Sequence, residues 1–288
     1  MAVNTKVKAE ARNLDRAAHS ASTSHLVETL MRLGYGARGM VYGVIGILAL
    51  QVALGGSGTL TDPQGAIVAM GQTPFGGVVL YVVLLGLIGY GLWGLIRAAF
   101  DPLHRGTEPK GIVVRLGYAV SGISYLLLAL STYGLLTGGA AAARGGAQTA
   151  QTQQGTATIL AQPGGVWVVV LAAAFIMAIG ILQIYHGLHR KFDQQFTAYE
   201  LNASQRKWIT RMGQFGTAAR GLVFALIGVF MFLAAYNHDP RLAQGFDGVL
   251  VSLLHQPYGH ILIGFIALGL IAFGIYSIMS GIWLRLKK

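Results

Sequence analysis

Two arginines set inside apolar runs are the residues of this chain whose type and placement could do chemistry. Arg38 lies in RLGYGARGMVYG and Arg220 in GTAARGLVFA. A charge within a hydrocarbon-length run is expensive, and by default it marks a functional site. No Asp or Glu lies within any long apolar run; all ten acidic residues fall between the runs or at their ends. Without a carboxylate, a guanidinium must reach a headgroup phosphate, a helix carbonyl or an anionic ligand. Ser121 holds the matching place in another run, and Gln183 is a polar residue inside a fourth. Arg38, Arg220, Ser121 and Gln183 are therefore the candidates for holding an anionic lipid or a small anionic solute.

The remaining reactive side chains make a thinner case. His186 and His189 are spaced i, i+3 at one end of a run, while His255 and His260 flank the start of another. Paired histidines can ligate haem iron, but these two pairs belong to opposite membrane faces, and neither has a third ligand for a metal. Interface histidines bonding water or lipid are the ordinary reading. Cysteine is absent, which excludes thiolate chemistry. Ser121, Ser124 and Ser131 lack the histidine and acid that a hydrolase needs. Gly34-Tyr35-Gly36 follows basic residues and no strand, so it is no dinucleotide fingerprint. No catalytic residue, metal or cofactor is expected, and the chain reads as non-enzymatic.

The elements that carry these residues follow from composition. Of 288 residues, 54% are hydrophobic and 11% charged, where soluble domains carry roughly 25% charge. Six segments, at about 33–54, 75–97, 116–137, 165–187, 217–235 and 258–283, each approach the length that crosses a bilayer. Lys and Arg alternate between the two sides: seventeen lie at the ends and in the loops after spans 2 and 4, two in the other three loops. The positive-inside rule then predicts cytoplasmic termini in a bacterial inner membrane. It also accounts for the net charge of +11 without invoking nucleic acid. Residues 1–31 form a basic segment in which Leu14, Ala17, Ala18 and Ala21 oppose Lys8, Arg12 and Arg16, as in a helix lying on anionic lipid. Residues 138–162 are rich in Ala, Gly, Gln and Thr and read as a flexible outer loop. Trp93, Trp167, Trp208 and Trp283 suggest an interfacial belt.

An internal repeat organises the spans. Gly34, Gly117 and Gly216 align at the odd spans, followed by Gly39, Gly122 and Gly221, and then by Tyr42, Tyr125 and Phe224. At the even spans Pro74, Pro163 and Pro257 align and are expected to open the helices, where a missing amide proton costs nothing. Gly76, Gly165 and Gly259 follow two residues on, and Gly91, Gly180 and Gly274 recur deeper. Each unit enters from the same side, so the three are parallel repeats. The expectation is an all-α, polytopic pseudo-threefold bundle, with the glycines as helix-packing positions. It comprises repeat 1 at 32–100, repeat 2 at 115–190, repeat 3 at 211–284 and a basic tail at 285–288.

Three two-span units, each with a glycine-rich start and a P-x-G entry to its second span, resemble the bacterial membrane proteins grouped as domain of unknown function 1206. The resemblance covers about residues 30 to 284 and implies a six-span inner-membrane protein without an established activity. The Gly-x-x-x-Arg-Gly pattern holds in repeats 1 and 3, and Ser121 replaces the arginine in repeat 2. Mitochondrial-type carriers also have three parallel two-helix repeats, but their proline–acid–base signature is missing from the ends of the odd spans. Three functions are expected in this order: binding of anionic lipid or solute in a transport-like or scaffold role, a structural subunit with protein partners in the membrane, and an intramembrane enzyme or haem protein.

Overall fold

The computed structural model describes residues 25–100, 108–138, 148–189 and 202–283. The expected amphipathic helix within residues 1–24 and the basic tail lie outside the described residues. Among the described residues six helices are long and apolar enough to cross a membrane: α1 (His25–Ala53), α3 (Gly76–Phe100), α4 (Pro109–Leu136), α6 (Gly165–His189), α7 (Ala203–Tyr236) and α9 (Gly259–Trp283). Among the described residues three short α-helices precede the even spans: α2 (Pro63–Gly71), α5 (Gln148–Leu160) and α8 (Phe246–Leu254), the last after a single 3-10 turn at Pro240–Leu242. Each repeat is thus a long–short–long unit. At 34 residues α7 is far longer than a bilayer requires, so it starts well before the span read from its apolar run.

The repeated P-x-G motif builds the joint between short helix and span. Gly76 donates its amide to Thr73 O at 2.8 Å, Gly165 to Gln162 O at 2.9 Å and Gly259 to Gln256 O at 2.8 Å. Pro74, Pro163 and Pro257 therefore sit second in a four-residue turn, and not at the first helical position as expected. Proline suits that place because its φ is already set for the turn. In two of the turns the third residue has positive φ, Gly164 at 74° and Tyr258 at 64°. A β-carbon on Gly76, Gly165 or Gly259 would strike the backbone oxygen of Gly71, Ile159 or Leu254.

Two kinds of seam join the spans. Between repeats, an odd span packs on the even span of the neighbouring unit through paired glycines. A β-carbon on Gly39 would lie 2.6 Å from Gly274 O, one on Gly122 2.8 Å from Gly91 O, and one on Gly221 2.8 Å from Gly180 O. These contacts are backbone on backbone at threefold-equivalent positions. Lipid offers no hydrophobic drive to helix association, so close approach supplies the attraction.

Within repeats the seams differ. Gly34 packs on Tyr90, with a β-carbon only 2.9 Å from Tyr90 Cα, and Gly216 packs on Phe273 at 2.6 Å by the same measure. Gly117, their counterpart in repeat 2, has nothing within 4 Å. It is not the packing glycine its alignment suggests, because α4 and α6 do not pack along one another. The helices follow one another around the bundle as α1, α3, α4, α6, α7, α9, with a break between α4 and α6.

The half of the bundle bearing the short helices is an apolar core. Ile45, Ala49, Ile67, Val83, Phe246, Val249, Leu250 and Ile263 are all buried there. The stretch expected as a flexible loop contributes α5, whose composition hides its role. Gln148 donates its amide to Asp62 Oδ2 at 2.9 Å and accepts Phe246 N–H at 3.1 Å. Thr149 Oγ1 donates to Asp247 at 2.7 Å and accepts the amides of Gly245 and Gly248 at 3.0 Å each. Polar anchoring, not an apolar stripe, holds α5 over this face, and it ties repeat 2 to repeats 1 and 3.

Candidate functional site

The other half of the bundle holds the arginines. Three guanidinium groups alternate with aromatic rings. Arg97 lies 5.7 Å from the centroid of Tyr90, and Arg38 lies 5.0 Å from the same ring. Arg38 also lies 4.9 Å from Phe273, whose ring meets Arg220 at 5.1 Å. The run Arg97–Tyr90–Arg38–Phe273–Arg220 spans α3, α1, α9 and α7. Tyr35 adds a further face to Arg38 at 4.8 Å, and Tyr42 and Phe224 flank Arg220 at 5.0 and 4.9 Å.

The repeat explains the arrangement. With Gly91, Gly180 and Gly274 in register, Tyr90 and Phe273 occupy one repeat position, and the residue there in repeat 2 is Ile179. Each arginine stacks on the aromatic of its own repeat. Where Ser121 replaces arginine, Ile179 replaces the ring, and that is the repeat whose spans stand apart.

Hydrogen bonds fix the guanidinium planes without neutralising them. Arg38 donates from Nε to Ser277 Oγ at 3.1 Å and from Nη1 to the Tyr90 hydroxyl at 2.6 Å. Arg220 donates from Nε to the Tyr42 hydroxyl at 2.9 Å, and its terminal nitrogens have no hydrogen-bond partner among the described residues. Neither arginine meets a carboxylate among those residues. The carbons of Arg38 and Arg220 are at most about 10 Å apart, since both face Phe273. Like charges no farther apart than about 10 Å repel by at least roughly 1.7 kcal/mol at an effective dielectric of about 20. Each desolvated cation–π contact returns about 2 kcal/mol, enough to offset the repulsion.

Arg97 belongs to the site although its position beside a basic loop hid it. It is 8% exposed, stands 4.4 Å from the Tyr118 ring of α4, and its buried Nε has no partner among the described residues. Trp93, one turn earlier, is buried beneath it and is not an interfacial tryptophan. Tyr90 and Trp93, seven and four residues before Arg97 on the same helix, were the available signal, since rings at helical spacing offer a cation its stacking surface.

Gln183 packs its Cβ against Gly221, beside Arg220, and its buried Oε1 has no partner among the described residues. Ser121 is half-buried and makes no hydrogen bond among them either. His189, His255 and His260 make no contact with the ladder. His189 stacks on Tyr185 at 4.4 Å and lies 3.1 Å from Tyr185 O. His255 is exposed with its ring 2.8 Å from Val251 O, and His260 is exposed at the start of α9. Among the described residues no three His, Cys, Asp or Glu side chains gather as a metal site would need. An apolar groove of about 330 Å³ follows the α1–α9 seam past Gly39, Met40, Val44, Met70 and Ile278 and offers no polar group.

Comparison with known proteins agrees with the repeat architecture. The chain is 33% identical over 261 residues to the uncharacterized protein YxxB of Bacillus subtilis (strain 168), an alignment covering 91% of this chain and 92% of that one. No solved structure matches it. The family model described as Domain of Unknown Function (DUF1206) matches three times, at residues 33–101, 116–190 and 215–283, once for each two-span unit. The chain, a bacterial multi-pass inner-membrane protein, belongs to the DUF1206 family.

Proposed function

We propose that this protein binds an anionic oxygen group, a phosphate or a carboxylate, on the arginine–aromatic ladder, and does so without catalysing a reaction. The observation that carries this reading is the set of three spanning-helix arginines with no carboxylate partner among the described residues, two of them sharing the Phe273 ring. At Arg220, stacking and the Nε hydrogen bond to Tyr42 hold the guanidinium plane and leave its terminal N–H pair in the fork that matches a phosphate or carboxylate. A lysine would supply charge but neither the stacking nor the fork.

The test is binding to the detergent-purified full chain of two probes, inorganic phosphate and phosphatidylglycerol in mixed micelles. Wild type is compared with Arg38→Gln, Arg220→Gln and the two Arg→Lys variants, with helicity checked in each. Losing a charge-assisted contact is expected to weaken binding by about tenfold or more, and lysine should restore only a fraction of it. Unchanged binding of both probes to folded Arg38→Gln and Arg220→Gln would reduce these arginines to packing clasps.

A further inference from the structure

The ladder meets the side of the bundle at one place. Five of the six seams around it are closed, three by paired glycines and two by a glycine against the backbone of an aromatic residue. The sixth, between α4 and α6, is open where Gly117 faces empty space. The α5 strap and the apolar core close the end of the bundle that bears the short helices. The opening lies instead beside the arginines.

Both borders of the opening touch the ladder. On α4, Tyr118 carries the Arg97 guanidinium at 4.4 Å, and the Tyr125 ring lies 4.5 Å from Tyr90. On α6, Gln183 lies against Gly221, next to Arg220. Inward of these borders lie the terminal nitrogens of Arg220, without a hydrogen-bond partner among the described residues, and two buried atoms likewise unpaired among them, Arg97 Nε and Gln183 Oε1. An anion satisfies the donors, while the acceptor needs a hydroxyl or an amine on the same ligand. Arg38 stands about 9 Å of helix past Arg32, the depth of a headgroup drawn slightly below the membrane surface. The two helices that border the opening are both long and apolar enough to cross a membrane, so lipid is what the opening would meet.

We propose that the ligand is a membrane phospholipid with an anionic, hydroxyl-bearing headgroup, which enters sideways between α4 and α6. Its phosphate lies on the Arg220 end of the ladder, its head hydroxyl donates to Gln183, and its chains fill the space beside Gly117. This rests on the anion-binding reading above and adds the source of the anion and its route.

Phosphatidylglycerol is the probe, and phosphatidylcholine of the same chains, which lacks net charge and the hydroxyl, is the control. The chain has no cysteine, so Gly117→Cys carries a single bimane label in the full protein in nanodiscs. Label at Leu171→Cys, an exposed position on α6, reports ordinary lipid contact. Brominated phosphatidylglycerol is expected to quench the label at 117 more than brominated phosphatidylcholine does at equal mole fraction, and both should quench equally at 171. The difference at 117 should vanish in Arg97→Gln/Arg220→Gln. Gly117→Trp, which fills the opening, should cut retained phosphatidylglycerol about tenfold in native mass spectra while leaving inorganic phosphate binding unchanged.

Equal quenching at 117 by the two lipids, with phosphate binding still dependent on the arginines, would overturn lateral lipid entry and leave the anion site standing as one for soluble anions. Loss of all phosphate and phosphatidylglycerol binding in wild type would overturn both readings. A label at 117 that is quenched by neither lipid and cross-links to a second molecule would assign the opening to another copy of the chain. If Gly117→Trp does not fold, the quenching comparison alone decides.

Discussion

Alanine substitutions along the seams should divide sharply by position. A β-carbon on Gly122 stands 2.8 Å from Gly91 O, and one on Gly221 stands 2.8 Å from Gly180 O. An unstrained carbon–oxygen contact is about 3.4 Å, so each seam must widen by roughly 0.6 Å. Both sides of the clash are helix backbone, which cannot swing away as a side chain tip would. Overpacking of this kind costs about 1–3 kcal/mol, and backbone against backbone belongs at the upper end. Alanine recovers about 1 kcal/mol of helix propensity over glycine. Gly122→Ala and Gly221→Ala should therefore each destabilise by about 1–2 kcal/mol. Gly117→Ala meets nothing within 4 Å and should be neutral or stabilise by up to about 1 kcal/mol. Unfolding in mixed micelles by increasing SDS fraction, followed by helical circular dichroism, measures the three side by side. If Gly117→Ala proves as damaging as Gly122→Ala, then α4 and α6 pack together and the opening described above does not exist.

Other substitutions probe single contacts. Thr149→Val removes a hydroxyl that serves Asp247, Gly245 and Gly248. Amide exchange across α5 should accelerate while the spans stay protected, and unchanged protection would mean that the strap is held by something else. Tyr90→Phe keeps the ring over Arg38 but deletes the hydroxyl accepting Nη1 at 2.6 Å. Stability should fall by about 1.5–3 kcal/mol, as for a hydrogen bond to a charged group, and phosphate binding should persist; loss of binding with no loss of stability would contradict the clasp role given to the hydroxyl. For topology, Ala150→Cys on α5 should react with an impermeant maleimide in intact cells, and labelling only after lysis would invert the orientation drawn from the basic residues.

The spans, the repeat and the register of Arg38 with Arg220 were legible because each rests on local spacing along the chain. The glycine positions were legible for the same reason, but not their partners, since a sequence alignment does not tell an inter-repeat seam from an intra-repeat one. Arg97 counts by position with the basic loop after span 2, because hydropathy alone does not separate a cation at a helix end from one folded inward over Tyr118. Helix α5 escaped because its anchor is a set of long-range hydrogen bonds from Gln148 and Thr149, which leave no periodic trace. The prolines precede their helices: at Gly164 and Tyr258 a positive φ completes a turn, and no helix has yet begun. The opening between α4 and α6 did leave a trace, spread over two columns of the repeat. Ser121 for arginine and Ile179 for an aromatic together mark the one unit that has lost its clasp.

That pairing of losses bears on why three units share one chain. A ring assembled from three separate copies of one unit repeats every side chain three times. It could not discard one arginine without discarding all three, nor open a single seam without opening its equivalents. Joined in a single polypeptide, the copies are free to diverge, and here the middle one has. Its departure leaves fewer cations crowded near the axis and gives the assembly a front and a back in the plane of the membrane. A single distinguished side in the membrane plane is a property that no symmetric trimer of this unit could possess.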